Sequence, residues 1–131
     1  MCTSFQPFEM PGSVNWWWNP TGVEKRHVVS SHDVLLQGSN RDWGKSALVF
    51  DVAGHYEAVA VTEALLDRGL KVTFATSHIS FAPEMHWART NEPALERFAL
   101  KDFTLHTRAR VAAIHDNTST LEFMYGGKPF D

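Results

Sequence analysis

Apolar residues in this chain follow two different rhythms, and the clearest alternation between them runs from Ala47 to Ser77. Ala47-Leu48-Val49-Phe50 is apolar at every position, the pattern of a parallel strand buried on both faces rather than a half-exposed antiparallel one. After Asp51-Val52-Ala53-Gly54 the spacing lengthens. Ala58, Val61 and Leu65, with Ala64 and Leu66 beside them, recur at helical intervals and give one apolar stripe that can lie on a sheet. Asp67-Arg68-Gly69-Leu70 supplies the stop: Gly69 suits the left-handed conformation past a helix end, and Leu70 suits the hydrophobic return of a Schellman cap. The β-branched and aromatic run Lys71-Val72-Thr73-Phe74-Ala75-Thr76 reads as a second strand. Strands joined through a helix this closely pair in parallel by a right-handed crossover. The turn over residues 51–56 therefore falls on the carboxyl edge of the sheet, where open α/β folds bind ligands.

Weaker patterns extend the domain on both sides. Ser31-His32-Asp33-Val34-Leu35-Leu36-Gln37 reads as a short helix with Ser31 as its N-cap, ended by Gly38. Residues 80–87 form a loop, and Pro93 suits the first turn of a helix running through Leu95, Phe98 and Leu100. Phe103 to Thr107 and Arg110 to Ile114 read as two more strands, with Asp116-Asn117-Thr118 as a hairpin turn before a strand over 121–125. These elements place one domain over residues 21–126, with a loose tail at 127–131. Residues 1–20 form an irregular arm punctuated by Pro7, Pro11, Gly12 and Pro20. Its Trp16-Trp17-Trp18 run cannot point one way in either a helix or a strand. Either the arm folds back and buries most of these rings, or one is left as a docking contact.

Composition narrows the classes. With 131 residues, 44% hydrophobic content and a net charge of −3, the chain has apolar material for one core and no room for a second domain. The mild acidity argues against a nucleic-acid partner. No apolar run approaches a membrane span, and the amino end has neither the basic region nor the apolar core of a signal peptide, so no membrane partner and a cytoplasmic location are expected. Cys2, the single cysteine, excludes an internal disulfide and a four-cysteine iron-sulfur cluster within this chain. The seven histidines lack the spacing of a zinc site, so no metal ligand is expected. There is no Gly-x-Ser-x-Gly elbow and Cys2 has no nearby base, so no catalytic residue is expected either.

The turn itself carries the candidate chemistry. A dinucleotide fingerprint needs small residues there, so that helix-terminal amides can approach a pyrophosphate. Gly54 is the only glycine, Ala53 and Ala58 are small, and His55-Tyr56-Glu57 is bulky. The Asp51 carboxylate would repel a phosphate, and the second strand ends in Ser77-His78 rather than in an acid that would hold a ribose. The candidate cofactor-binding residues are Gly54, His55 and Tyr56 at the phosphates, and Ser77 and His78 at the adenosine ribose. On this reading, Gly54→Val blocks nucleotide binding and leaves stability nearly unchanged. The alternative is a strand-to-helix turn with no ligand, in which His55 serves the helix start.

The run Ala47-Leu48-Val49-Phe50-Asp51-Val52-Ala53-Gly54-His55-Tyr56-Glu57-Ala58-Val59-Ala60-Val61, followed by Gly69-Leu70-Lys71-Val72-Thr73-Phe74-Ala75-Thr76, resembles the C-terminal region of the multidomain NADH:flavin oxidoreductases, the trimethylamine dehydrogenase and histamine dehydrogenase family. Residues 21–35, 81–84 and 103–114 are similar to the flanking segments of that region. The resemblance implies an α/β fold of FAD/NAD(P)-binding-domain type, Rossmann-like and three-layered, with a mainly parallel central sheet and an antiparallel hairpin. It implies NAD(P)H or ADP as the ligand such a domain could hold. FMN and a 4Fe-4S cluster would belong to domains absent from this chain, since a flavin barrel alone takes on the order of 200 residues. It also implies a flavin-barrel domain or subunit as partner, with self-association open, and no activity from this chain alone. Some members use this domain for a nicotinamide cofactor and others keep only the fold; Gly54-His55-Tyr56 is more similar to the second group. Two readings stay open: a nucleotide-binding domain of a flavin-dependent oxidoreductase, and a vestigial structural or docking module.

Overall fold

The computed structural model describes residues 2–3, 20–37 and 42–131; of Cys2, Thr3 and Gln37 only the backbone is described. Trp16, Trp17 and Trp18, and the helix-ending Gly38, lie outside the described residues. The strands are β1 (Cys2–Thr3), β2 (Val29–Ser30), β3 (Ser46–Asp51), β4 (Lys71–Thr76), β5 (Phe103–His106), β6 (Ala109–Ile114) and β7 (Ser119–Phe123). The helices are α1 (Ser31–Gln37), α2 (Tyr56–Asp67) and α3 (Asn91–Ala99).

The two apolar runs at the middle of the sequence become neighbouring parallel strands. β3 and β4 pair along their whole length, from Ser46 opposite Lys71 to Asp51 opposite Thr76. They sit in a five-stranded parallel sheet of order β2-β1-β3-β4-β5. From β2 onward the chain crosses this sheet in one direction, with a helix in each step. Val34, Leu65 and Phe98, one from each helix, share a core with Val49, Val72 and Phe74, so all three helices cover one face. On the opposite face, Phe50 and Ala75 pack against Val111, Ile114 and Leu121 of the β6–β7 hairpin. The result is the α/β fold with three layers expected from the sequence: helices, parallel sheet, antiparallel hairpin.

Local signals explain the boundaries. α2 ends in the anticipated Schellman motif, with the Gly69 amide on the Leu66 carbonyl at 3.0 Å and the Leu70 amide on the Leu65 carbonyl at 3.2 Å. Gly69 takes φ 82°, and Leu70 is buried beneath the turn. The start of α1 differs from expectation. Ser30, not Ser31, caps it: the Asp33 amide donates to Ser30 Oγ at 3.2 Å and the Ser30 amide donates to Asp33 Oδ2 at 3.1 Å, a reciprocal capping box. Ser31 turns inward and donates its hydroxyl to Glu57 at the start of α2. Leu100 lies past the end of α3 and is exposed rather than part of its apolar stripe.

The carboxyl end also differs from expectation. Instead of a loose tail, Phe130 pairs with Leu121 through bonds of 2.7 and 2.8 Å, and its ring rests against His106 and Phe123 at 5.0 and 5.2 Å. An aromatic cluster unites the helical face with the sheet, with Phe81 5.0 Å from Phe74 and 6.1 Å from Phe98. Phe81 belongs to the loop after β4, so that loop is fastened to the core. Among the described residues no helix is long and apolar enough to cross a membrane.

The hairpin turn is tied to the segment before β2 by an ion pair, Lys25 Nζ to Asp116 Oδ1 at 2.6 Å. The hydrogen bond and charge of Lys25 hold the Asp116 carboxyl below its ordinary range, and Asp116 raises Lys25 above its own. The depressed carboxyl adds stability above the ordinary aspartate range, lost as pH falls through its folded value; the raised ammonium adds stability below the ordinary lysine range, lost as pH rises through its folded value. Neutral pH retains both, but the pair is exposed and salt screens it. Asp116→Asn should lower the urea midpoint slightly at neutral pH, match the parent once acid has protonated the carboxyl, and differ less in concentrated salt.

Candidate functional site

The carboxyl ends of β3 and β4 meet at a buried acid. Asp51, the last residue of β3, is fully buried, and its Oδ1 accepts the Gly54 amide at 2.9 Å. Its Oδ2 lies 3.4 Å from the Thr76 hydroxyl, which closes β4. An aspartate that bonds a backbone amide a few residues ahead folds the chain into a tight turn. Here it also takes an amide that a phosphate at a helix start would otherwise attract.

The next layer is the loop that follows β4. His78 Nε2 lies 2.7 Å from the Val52 carbonyl, so this nitrogen carries the proton and donates. The Glu84 amide donates to the Gly54 carbonyl at 3.0 Å. Gly54 has φ 72°, and a Cβ placed on it would fall 2.9 Å from His78 Nε2 and 3.1 Å from the Pro83 ring. Glycine is therefore required by the backbone angle and by the chain's own cover. This corrects the expectation that Gly54→Val leaves stability nearly unchanged. The cover is also well anchored. Phe81, Ala82 and Met85 are buried, and Ala82 holds a left-handed conformation at φ 43° inside a packed surround.

The five candidate residues do not converge on an open cleft. Gly54 and His78 touch, with no room between them. His55 is exposed at the start of α2; its Nδ1 accepts the Tyr56 amide at 2.8 Å, and its ring lies 4.6 Å from the Tyr56 ring. The helix-start role weighed for His55 is thus the geometry observed. Tyr56 is about half exposed and lies at the same corner. Ser77 continues β4, its amide directed at the Asp51 carbonyl at 3.4 Å. Thr76, Pro83 and Glu84 complete the closure, and the sequence reading did not single them out. The signal that pointed toward it was Asp51, an acid where a phosphate site would avoid one.

A dinucleotide approaching this turn in the usual manner would need the Gly54 amide and the space above its α-carbon, and both are occupied by the chain itself. The turn as folded does not fit a pyrophosphate. An open groove of about 730 Å³ lies beside Trp43, Leu48, Lys71, His106 and Phe130, and none of the five candidates borders it. Among the described residues no group of three or more histidine, cysteine, aspartate or glutamate side chains could hold a metal ion.

No protein-family model matches the chain, and no curated protein matches it. Solved structures do match. The fold is similar to part of 6-hydroxypseudooxynicotine amine oxidase (HisD) from Pseudomonas geniculata N1, at 21% identity and a TM-score of 0.78 over 85% of this chain and 16% of that one. It is similar to part of histamine dehydrogenase from Rhizobium sp. 4-9, at 18% identity and a TM-score of 0.68 over 76% of this chain and 16% of that one. A 2-naphthoyl-CoA reductase matches at 15% identity and a TM-score of 0.67, over 86% of this chain and 16% of its own. At these identities the likeness is one of fold: this chain has the architecture of one domain within larger oxidoreductases, and spans about 16% of each of them.

If the closure is structural, adding a methyl at Gly54 strains the fold directly. Gly54→Ala should lose about 2 kcal/mol of unfolding free energy, from the left-handed backbone together with the clash. Because the His78 ring is the nearest atom, His78→Ala in the same chain should recover part of that loss, a coupling that urea titration of the two single variants and the double variant would measure.

Proposed function

We propose that this chain is a nucleotide-domain-like module of a larger oxidoreductase, retained as a structural and docking element and not catalytic by itself. The observation that carries the reading is the closed turn: the Asp51 carboxylate holds the Gly54 amide, and His78 and Pro83 fill the space above the glycine. A domain that binds pyrophosphate at this edge keeps those amides outward and that space empty. The likeness to one part of HisD and of histamine dehydrogenase supports the wider setting, because in both proteins the fold is a small share of a long chain. Any iron-sulfur cluster would be held by other domains, Cys2 being the only thiol here.

A second reading keeps NAD(P)H or ADP at Gly54, His55, Tyr56, Ser77 and His78. The intact βαβ unit and the exposure of His55 and Tyr56 at the carboxyl edge favour it. It requires His78 and Pro83 to withdraw from Gly54. Calorimetric titration of the purified chain with NADH, NADPH, ADP and FAD distinguishes the two. The structural reading predicts no saturable heat at millimolar ligand; one-to-one binding of any of them would establish the second.

A further inference from the structure

Backbone hydrogen bonds tie three segments together where the carboxyl edge meets the hairpin. The Arg108 amide, in the β5–β6 connection, donates to the His78 carbonyl at 2.9 Å, and the Arg108 carbonyl accepts the Met124 amide at 2.8 Å. These bonds set Ile79, Arg108 and Met124 side by side, with Phe123 and Tyr125 continuing from the end of β7. Ile79 is 69% exposed and Tyr125 79% exposed, while Phe123 and Met124 are each more than a third exposed. Arg108 is exposed in a left-handed conformation at φ 52°. Among the described residues its guanidinium makes no ion pair, whereas Arg97, Lys101 and Arg110 each pair with an acid.

Exposed large apolar residues on segments bonded to that of an arginine with no ion pair among the described residues have the composition of an interface centre, where aromatic residues and arginine are enriched. Its segments are already bonded to one another and to the closed turn through His78, so little ordering would oppose association. The charge also selects the occupant. A second copy related by a two-fold axis through Arg108 would bring two arginines together, and Glu122 of the adjoining strand is already paired to Arg110. The complement is a surface of another protein that presents apolar side chains around a carboxylate.

We propose that Ile79, Arg108, Met124 and Tyr125 form the docking surface through which this module joins a separate subunit of an oxidoreductase, with Arg108 meeting a carboxylate of that partner. The proposal rests on the docking reading above. It can fail separately from it, because nucleotide titration tests the turn and not this patch.

The test places a photo-crosslinking benzoylphenylalanine at Tyr125 in the full chain in its native cells, with a control at Leu100, which is equally prominent at the far end of α3. The expected result is one cross-linked product from position 125 and none from position 100, its cross-linked peptide mapping to a surface containing Asp or Glu. Arg108→Glu should reduce the yield at least about tenfold without changing the melting temperature, and exchange of the mapped acid for Arg should restore it. Ile79→Asp, which leaves Arg108 in place, should reduce the yield as well. Equal products from both positions, a product linking two copies of this chain, no product from position 125, or a yield unaffected by Arg108→Glu and Ile79→Asp would each overturn the proposal.

Discussion

The bond from the Gly54 amide to the buried Asp51 carboxylate sets the character of the carboxyl edge. A carboxylate removed from water must be compensated by donors, and here the turn provides one and β4 another. Once the acid is satisfied in this way, the turn curls inward and Gly54 adopts its left-handed angle. The surface left above the glycine is then shaped for the loop after β4. His78 and Glu84 bond to the two carbonyls on either side of Ala53, and Pro83 closes over the glycine. Removing the acid would orphan the Gly54 amide and take the acceptor from the Thr76 hydroxyl, whose oxygen would keep only the His78 amide at 3.2 Å. The loop would then be laid over a turn of another shape.

This closure changes what the fold can do without changing the fold. The parallel sheet, its one-sided helical layer and the hairpin on the other face are the architecture shared with parts of HisD and histamine dehydrogenase. The βαβ unit places its turn where such folds bind ligands. Whether a ligand enters depends on a few atoms: which way one amide points, and whether a side chain stands over one glycine. Function lives in those atoms rather than in the sheet.

Much of the scaffold was legible in the sequence because its signals are local. The uninterrupted apolar run of β3, the helical stripe of α2 and the Gly69-Leu70 stop each specify their own conformation, and each formed as expected. The cap of α1 was misplaced by one residue because Ser30 and Ser31 are chemically alike, and only the Asp33 partner identifies Ser30. The tail was misread because its anchor is distant: Phe130 is held by Leu121, His106 and Phe123, contacts that no local pattern encodes. The site lay between these cases. Asp51 could be seen to oppose a phosphate, and His55 could be seen as a helix-starting residue. That His78 and Pro83 would cover Gly54 depends on the path of a loop anchored by Phe81 in an aromatic cluster, which spacing alone does not reveal.

Amide hydrogen exchange at Gly54 and Glu84, followed by NMR with and without NADH, tests the closed turn most directly. Both amides are bonded within the closure, Gly54 to Asp51 and Glu84 to Gly54. They should therefore exchange as slowly as the paired amides of β3 and β4, and NADH should leave their rates unchanged. Fast exchange at both positions that becomes slow when NADH is added would show a turn open to a nucleotide, and would contradict the account.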